Sequence, residues 1–276
     1  MSKSQPMYQA EVYSFEQWRS EARNALAAQI APSDIEWQSD GQQGLFNTPV
    51  PKAPDTFSVN INRDFMNLAD AAACFRNSAR WGILYRLLWR QVYEEPKLLS
   101  ISTDNDVMLL HRMVGQVRRD SHKMKAFVRF KEVERYHNTY MAWHEPTHYV
   151  VERVAPFFMR RFTSMNWAIL TPYQSAYWNG EKLRYGEGQP RSAIPHEDAM
   201  EEMWKTFYRN IFNPARIKID MMTSEMPRKY WHTMPETALI PSMLEESDTR
   251  VKKMVKDSKS KNSDNQDDED HDSLFL

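Results

Sequence analysis

The sequence predicts an α+β fold, mostly helical, in which helices pack on a small antiparallel sheet. Three observations lead there. Apolar residues recur at helical spacing in several long windows, as in Trp81, Leu84, Leu88 and Val92. Asn179-Gly180 is a strong hairpin signal between Tyr173–Trp178 and Glu181–Tyr185. Residues 126–143 look extended, with a turn near His137-Asn138. The sheet is therefore expected from residues 126–143 and 167–185.

The elements follow in order. Ser14-x-x-Gln17 has capping-box form, in which a hydroxyl and an amide satisfy the first free N–H groups of a helix. Phe15, Trp18, Ala22, Leu26 and Ile30 continue that helix, and Pro32 is expected to stop it. Phe57, Val59 and Ile61 alternate like a short strand. Residues 64–76 and 79–94 read as helices, the first with a stripe of Phe65, Leu68, Ala72 and Phe75. Cys74 lies beside that stripe and is read as inert core. A long helix is expected from about Asp104 to Lys125. Pro146 should open a helix running to about Phe162, because a first turn has no N–H to lose. Trp167–Leu170 is apolar and strand-like. A further helix is expected from Glu197 to Phe212, ending at Asn213-Pro214. No internal repeat or Gly/Ser linker divides the body, so residues 1–244 read as one compact domain and 245–276 as a tail. Residues 247–270 are polar and charged, and are expected to be disordered.

Composition excludes several function classes. With 276 residues, 41% of them hydrophobic, the chain can build a real core. None of its 7 glycines falls in a G-x-x-x-x-G-K or G-x-G-x-x-G pattern, which removes the usual glycine phosphate cradles. A single Cys excludes a disulfide framework, a Cys-rich zinc site and a Cys-ligated cluster. No apolar run has the length of a signal peptide core or a membrane span. The expectation is a cytoplasmic protein with no membrane contact and neither cofactor nor metal. The net charge of −1 conceals an asymmetry: ten acids oppose six bases from Glu245 to Leu276, leaving a mildly basic body.

Several blocks carry a family resemblance. They are LYRLLWR (84–90), VRRDSHKMKAFVRF (117–130), WHEPTH (143–148), APFFMRRF (155–162), MNWAILTP (165–172), SAYWNGEKLRYG (175–186), FNPARIK (212–218) and MPRKYWHTMPETALIP (226–241). Together they resemble a bacterial family of DNA-metabolism or repair proteins. Its domain is sometimes fused to a uracil-DNA-glycosylase-superfamily domain, and elsewhere stands beside a separate radical-SAM protein associated with DNA. The resemblance covers roughly residues 8–244. It implies a DNA-repair setting and a separate repair enzyme as partner, and it supplies no catalytic residue. The chain is expected to lack the fused glycosylase domain. With one Cys it cannot be the radical-SAM partner, whose cluster needs three.

Two stretches suit DNA. From Arg112 to Arg135 there are eight bases against three acids. On a helix over 104–125, Val107, Leu110, Met113, Val114 and Val117 gather on one side. Arg112, Gln116, Arg119 and Lys123 gather on the other, with Arg118 and His122 flanking the apolar stripe. Arg112, Arg118, Arg119, Lys123, Lys125 and Arg129 are therefore candidate phosphate ligands, although an ordinary solvated helix face has the same pattern. The second stretch, Met226–His232, offers Arg228, Lys229, Tyr230 and Trp231 for stacking on unpaired bases and holding the backbone. The competing reading buries the two aromatics in the core.

Catalytic signals are weak. His144-Glu145-Pro146-Thr147-His148 matches H-E-x-x-H, but a zincin needs both His on one continuous helix, and Pro146 interrupts it. A looser metal site using His148 with another His or a carboxylate stays open. The bland alternative is a helix start with Glu145 near its positive end. His122, His148, Asp120 and Glu145 are the acid–base candidates if the protein is an enzyme. Gly186-Glu187-Gly188 resembles glycosylase loops only superficially. Ser273, Leu274, Phe275 and Leu276 end the chain as an apolar anchor after a charged stretch. They resemble the bacterial sliding-clamp-binding peptide, with His271 where Gln is usual; an arbitrary apolar terminus explains them equally well. The leading expectation is a protein that binds damaged or single-stranded DNA and works with a separate repair enzyme. The alternatives are an enzyme acting on a DNA base or backbone, and a scaffold touching only proteins.

Overall fold

The computed structural model describes residues 8–39, 48–133, 137–193 and 224–243. The expected helix over 197–212, the boundary at Leu244 and the C-terminal peptide lie outside the described residues. The contacts divide the chain into two compact units, Met1–Ala126 with Pro146–Phe158, and Phe127–Glu145 with Met159–Leu276.

The first unit combines helices with a three-stranded sheet. Strands β1 (Tyr8–Glu11), β2 (Ile35–Gln38) and β3 (Thr48–Pro49) pair in parallel in the order β2-β1-β3. Helix α1 (Phe15–Ala27) starts at the expected Ser14 cap: the Ser14 hydroxyl accepts from Gln17 N–H at 3.2 Å, while the Gln17 amide oxygen accepts at 2.8 Å from the N–H of Tyr13, one residue before the cap. It ends before Pro32. Ile30 N–H reaches the Ala25 carbonyl, Gln29 N–H reaches that of Leu26, and Gln29 sits at φ 52°. This is a Schellman close with a non-glycine residue in the left-handed position.

Helices α2 (Arg63–Ala73) and α3 (Arg80–Tyr93) take their expected places. Their buried faces, among them Phe65, Ala69, Trp81, Leu84 and Leu88, join Trp18, Ala22 and Leu26 of α1 in one core. Helix α4 (Asn105–Phe127) adds Val107, Leu110, Met113 and Val114 to it. Asp104 caps α4 by accepting from the N–H groups of Asp106 and Val107 at 2.9 and 3.2 Å. Arg90 clamps the same carboxylate at 2.7 Å. These contacts hold the Asp104 carboxyl down at about 2, through Arg90 first and the capped N–H groups after it. Residues 57–61 pair with no strand among the described residues. Phe57, Val59 and Ile61 are half-buried against the core, so alternation reflects burial on one side and not a sheet.

The second unit holds a five-stranded sheet in the order β4-β5-β6-β7-β8. The strands are β4 (Lys131–Glu132), β5 (Thr139–Trp143), β6 (Asn166–Leu170), β7 (Gln174–Trp178) and β8 (Leu183–Glu187). Asn138 turns the chain between β4 and β5 at φ 51°, and Gly180 turns it between β7 and β8 at φ 87°. The expected small antiparallel sheet is corrected in one respect: β5 and β6 run parallel, and the first unit's sheet is parallel throughout. The physical reason is the connection. Residues 144–165 include helix α5 (Val151–Arg161), and a crossover of that length lets the next strand return in the same direction. Helix α5 begins at Val151 and carries Pro156 inside it, so Pro146 does not open a helix.

Candidate nucleic-acid interface

Strand alternation sorts the second unit's sheet into two faces. Ala142, Trp167, Ile169, Ala176 and Trp178 are buried on one face. Lys131 and Met141 are register partners on the other, and Trp143 follows Met141 on that same side. Just before β4, Val128 and Phe130 are buried while Arg129 and Lys131 are half-exposed. The run Val128-Arg129-Phe130-Lys131 thus alternates in and out, and it sends both cations to one side.

That side opens into a cavity of about 880 Å3. Lys131 and Trp143 line it from the sheet, Arg129 from the segment before β4, Arg191 and Ser192 from the short 3₁₀ turn Arg191–Ala193, and Trp231 to Pro235 from the 3₁₀ turns Arg228–Thr233 and Pro235–Leu239. No Asp or Glu is among the described lining residues. Both indoles are tied by their N–H groups. Trp143 donates to the Gln189 carbonyl at 3.2 Å, and Trp231 donates to that of Met226 at 2.9 Å. These bonds fix the orientation of both rings, and Trp231 also packs against the cluster of Met226, Tyr230, Met234 and Ile240. Arg191 donates to the His232 carbonyl at 2.7 Å, and the Trp143 and His232 rings stand 6.0 Å apart. Partial burial, then the neighbouring Arg191, lower the His232 imidazole, against an opposing pull from Glu145.

The structure places the candidate residues in different roles. Arg129 donates Nε and Nη2 to one oxygen of the buried Glu236 at 3.0 and 2.7 Å. Tyr230 is 2% exposed, stacked on His144 at 4.8 Å and packed against Phe127, so it belongs to the core. Trp231 lines the cavity, with the exposed Arg228 guanidinium 5.7 Å from its ring. Lys229, also exposed, stands 4.6 Å from the Tyr230 ring. In the first unit, Arg112, Arg118, Arg119, His122 and Lys125 are exposed on α4 and Lys123 is half-buried. Arg112, Arg118 and Arg119 make no ion pair with a described residue. The Lys125 ammonium stands 5.2 Å from the Phe157 ring.

Two of the acid–base candidates have backbone work. Asp120, 5% exposed, accepts from the N–H of His148 at 2.8 Å. His148 stacks on Phe75, and its Nδ1 accepts from Arg76 N–H at 3.3 Å, which leaves the neutral ring's proton on Nε2. Glu145 is exposed. His144 follows the end of β5 and His148 sits in a bend, so H-E-x-x-H has no helix to hold a metal, and no cluster of three or more potential ligands occurs among the described residues. Cys74 closes α2, and burial pushes its thiol up to about 11, as suits an inert position. No helix among the described residues is long and apolar enough to cross a membrane.

Lys131, Trp143, Arg191 and His232 were absent from the sequence-based candidates. The signal available was the out-facing parity of Lys131 with Arg129. Nothing local marks Arg191 or Trp143, because their meaning comes from segments distant in sequence.

The fold and the site define an α+β protein with a cationic, indole-lined cavity on one face of a mixed sheet. The chain belongs to the family of a domain of unknown function, DUF4130, whose family model matches residues 78–236. The match spans more than half of the chain and all five strands of the second sheet. No curated protein and no solved structure matches the chain significantly.

Proposed function

We propose that this protein binds single-stranded or damaged DNA through the cavity of its second unit, as part of DNA metabolism carried out with a separate repair enzyme. One observation carries the reading: a cavity of about 880 Å3 that joins two orientation-fixed indoles to Lys131 and Arg191, with no carboxylate among its described lining residues. Indole faces stack on unpaired bases irrespective of sequence, at about 1–3 kcal/mol per base, and the cations hold phosphates. The repair setting and the partner enzyme rest on the sequence blocks. The C-terminal Ser273–Leu276 peptide is proposed to anchor the protein to the sliding clamp, on its sequence alone.

The test is fluorescence anisotropy of a labelled single-stranded oligonucleotide across a salt series. Binding should weaken as salt rises, and Lys131→Glu or Arg191→Glu should weaken it at fixed salt. Saturable binding unaffected by either variant, or no binding at low salt, overturns the reading.

A further inference from the structure

The sheet carries a row of side chains that leads out of this cavity. Register partners run Lys131–Met141, Met141–Ala168, Ala168–Tyr177 and Tyr177–Arg184, one residue from each of the five strands. Partners in register point to the same face, so the five residues form a single line across the sheet. Lys131 at one end lines the cavity. At the other end Arg184 is exposed on β8, an edge strand, and Tyr177 beside it is 37% exposed. Four strand spacings separate the two cations, on the order of 19 Å.

The residues between the ends suit a flat ligand. Ala168 is small and buried at 8% exposure between its neighbours, Met141 is half-buried, and no carboxylate stands in the row. Tyr177 leans over Gly186, where an added Cβ would come within 3.1 Å of the ring. A glycine there lets the tyrosine ring cross the edge strand. An apolar floor with one exposed aromatic ring and a cation at each end matches a single polynucleotide strand: bases on the floor, phosphates at the ends.

We infer that single-stranded nucleic acid leaving the cavity runs along this row of the sheet, with a base stacked on Tyr177 and a phosphate held by Arg184. The inference rests on the proposed DNA-binding function and extends the site by two residues outside the cavity. Continuity at Lys131 and complementary charge name the occupant.

The experiment compares two labelled oligothymidylates, of about 4 and about 16 nucleotides, the ends of the usual range for a stacked single-strand site. Tyr177→Ala and Arg184→Glu should each weaken the longer ligand by about tenfold and change the shorter one much less. Tyr177→Phe, which keeps the ring, should bind like the parent. Thermal melting confirms that these surface variants fold. If Lys131→Glu and Trp143→Ala lose binding while Tyr177→Ala and Arg184→Glu match the parent on both ligands, the sheet path is wrong and the cavity reading stands. If the parent binds neither oligonucleotide at low salt, both fall together.

Discussion

The Arg129 guanidinium gives two hydrogen bonds to one oxygen of Glu236, whose side chain is 2% exposed. Removing one member of such a pair strands a buried charge. Arg129→Ala should therefore cost about 3–5 kcal/mol, and Arg129→Met with Glu236→Leu should recover most of it, as chemical denaturation of the three variants would show. A loss of DNA binding in Arg129→Ala alone would then report stability, which is why Lys131 and Arg191 are the informative cations. His144 gives a second prediction. It is fully buried, neither ring nitrogen has a hydrogen-bond partner among the described residues, and it is stacked on Tyr230. Burial, with Lys229 and His232 nearby, lowers its pKa from 6.5 to about 3. The folded state thus refuses a proton that the unfolded chain accepts. The stability from a neutral His144 is complete above pH 6.5 and drains away as pH falls toward 3. His144→Phe keeps the ring and removes the titration. It should melt no lower than the parent at pH 7 and lose less on going to pH 5; an identical pH dependence in both would refute this. Little of the residue scale was legible beforehand. The alternation around Arg129 could be read as in-and-out, but not the distant Glu236 that neutralises one of its cations.

Among the elements, local chemistry predicted helices well. Ser14 and Gln17 signalled the start of α1, and the apolar stripes of α2, α3 and α4 fell where periodicity put them. The close of α1 was missed because Gln29 carries no glycine signature. A non-glycine residue at φ 52° is strained by roughly 1–2 kcal/mol. Gln29→Gly should raise the stability of the protein by up to about 1 kcal/mol, read as a higher melting temperature. The β hairpin was predicted from Asn179-Gly180, whereas the parallel β5–β6 pair was not, since a strand's direction depends on the path between strands. Gly188 shows how tightly that sheet is built. A Cβ there would meet the Pro172 carbonyl oxygen at 2.2 Å, and the adjacent Gln189 N–H bonds the Thr171 carbonyl at 2.8 Å. Gly188→Ala should cost about 1–3 kcal/mol by forcing two backbone segments apart, measurable as a lowered denaturation midpoint. The glycine that superficially resembled part of a glycosylase loop has a close backbone approach to serve.

At the scale of the whole molecule, DNA binding and partner capture should separate. If Lys131, Arg191 and Arg184 each hold one phosphate, the slope of log affinity against log salt for single-stranded DNA should be about −2. Neutralising any one of them should flatten it by about 0.7. Leu274→Ala with Phe275→Ala should abolish binding to the purified sliding clamp in surface plasmon resonance and leave oligonucleotide affinity unchanged. Equal clamp binding by the variant and the parent would dispose of the anchor reading. The sequence by itself determined where helices begin, which of their faces are apolar, and that two stretches are rich in cations beside aromatics, because these follow from spacing and composition within a few turns of chain. Only the tertiary structure decided which of those cations face a cavity, which is consumed by a buried carboxylate, and that Trp143, Arg191 and Trp231 line one wall-to-wall space. Those outcomes depend on strand register and on pairing between segments about a hundred residues apart, and no local pattern encodes either.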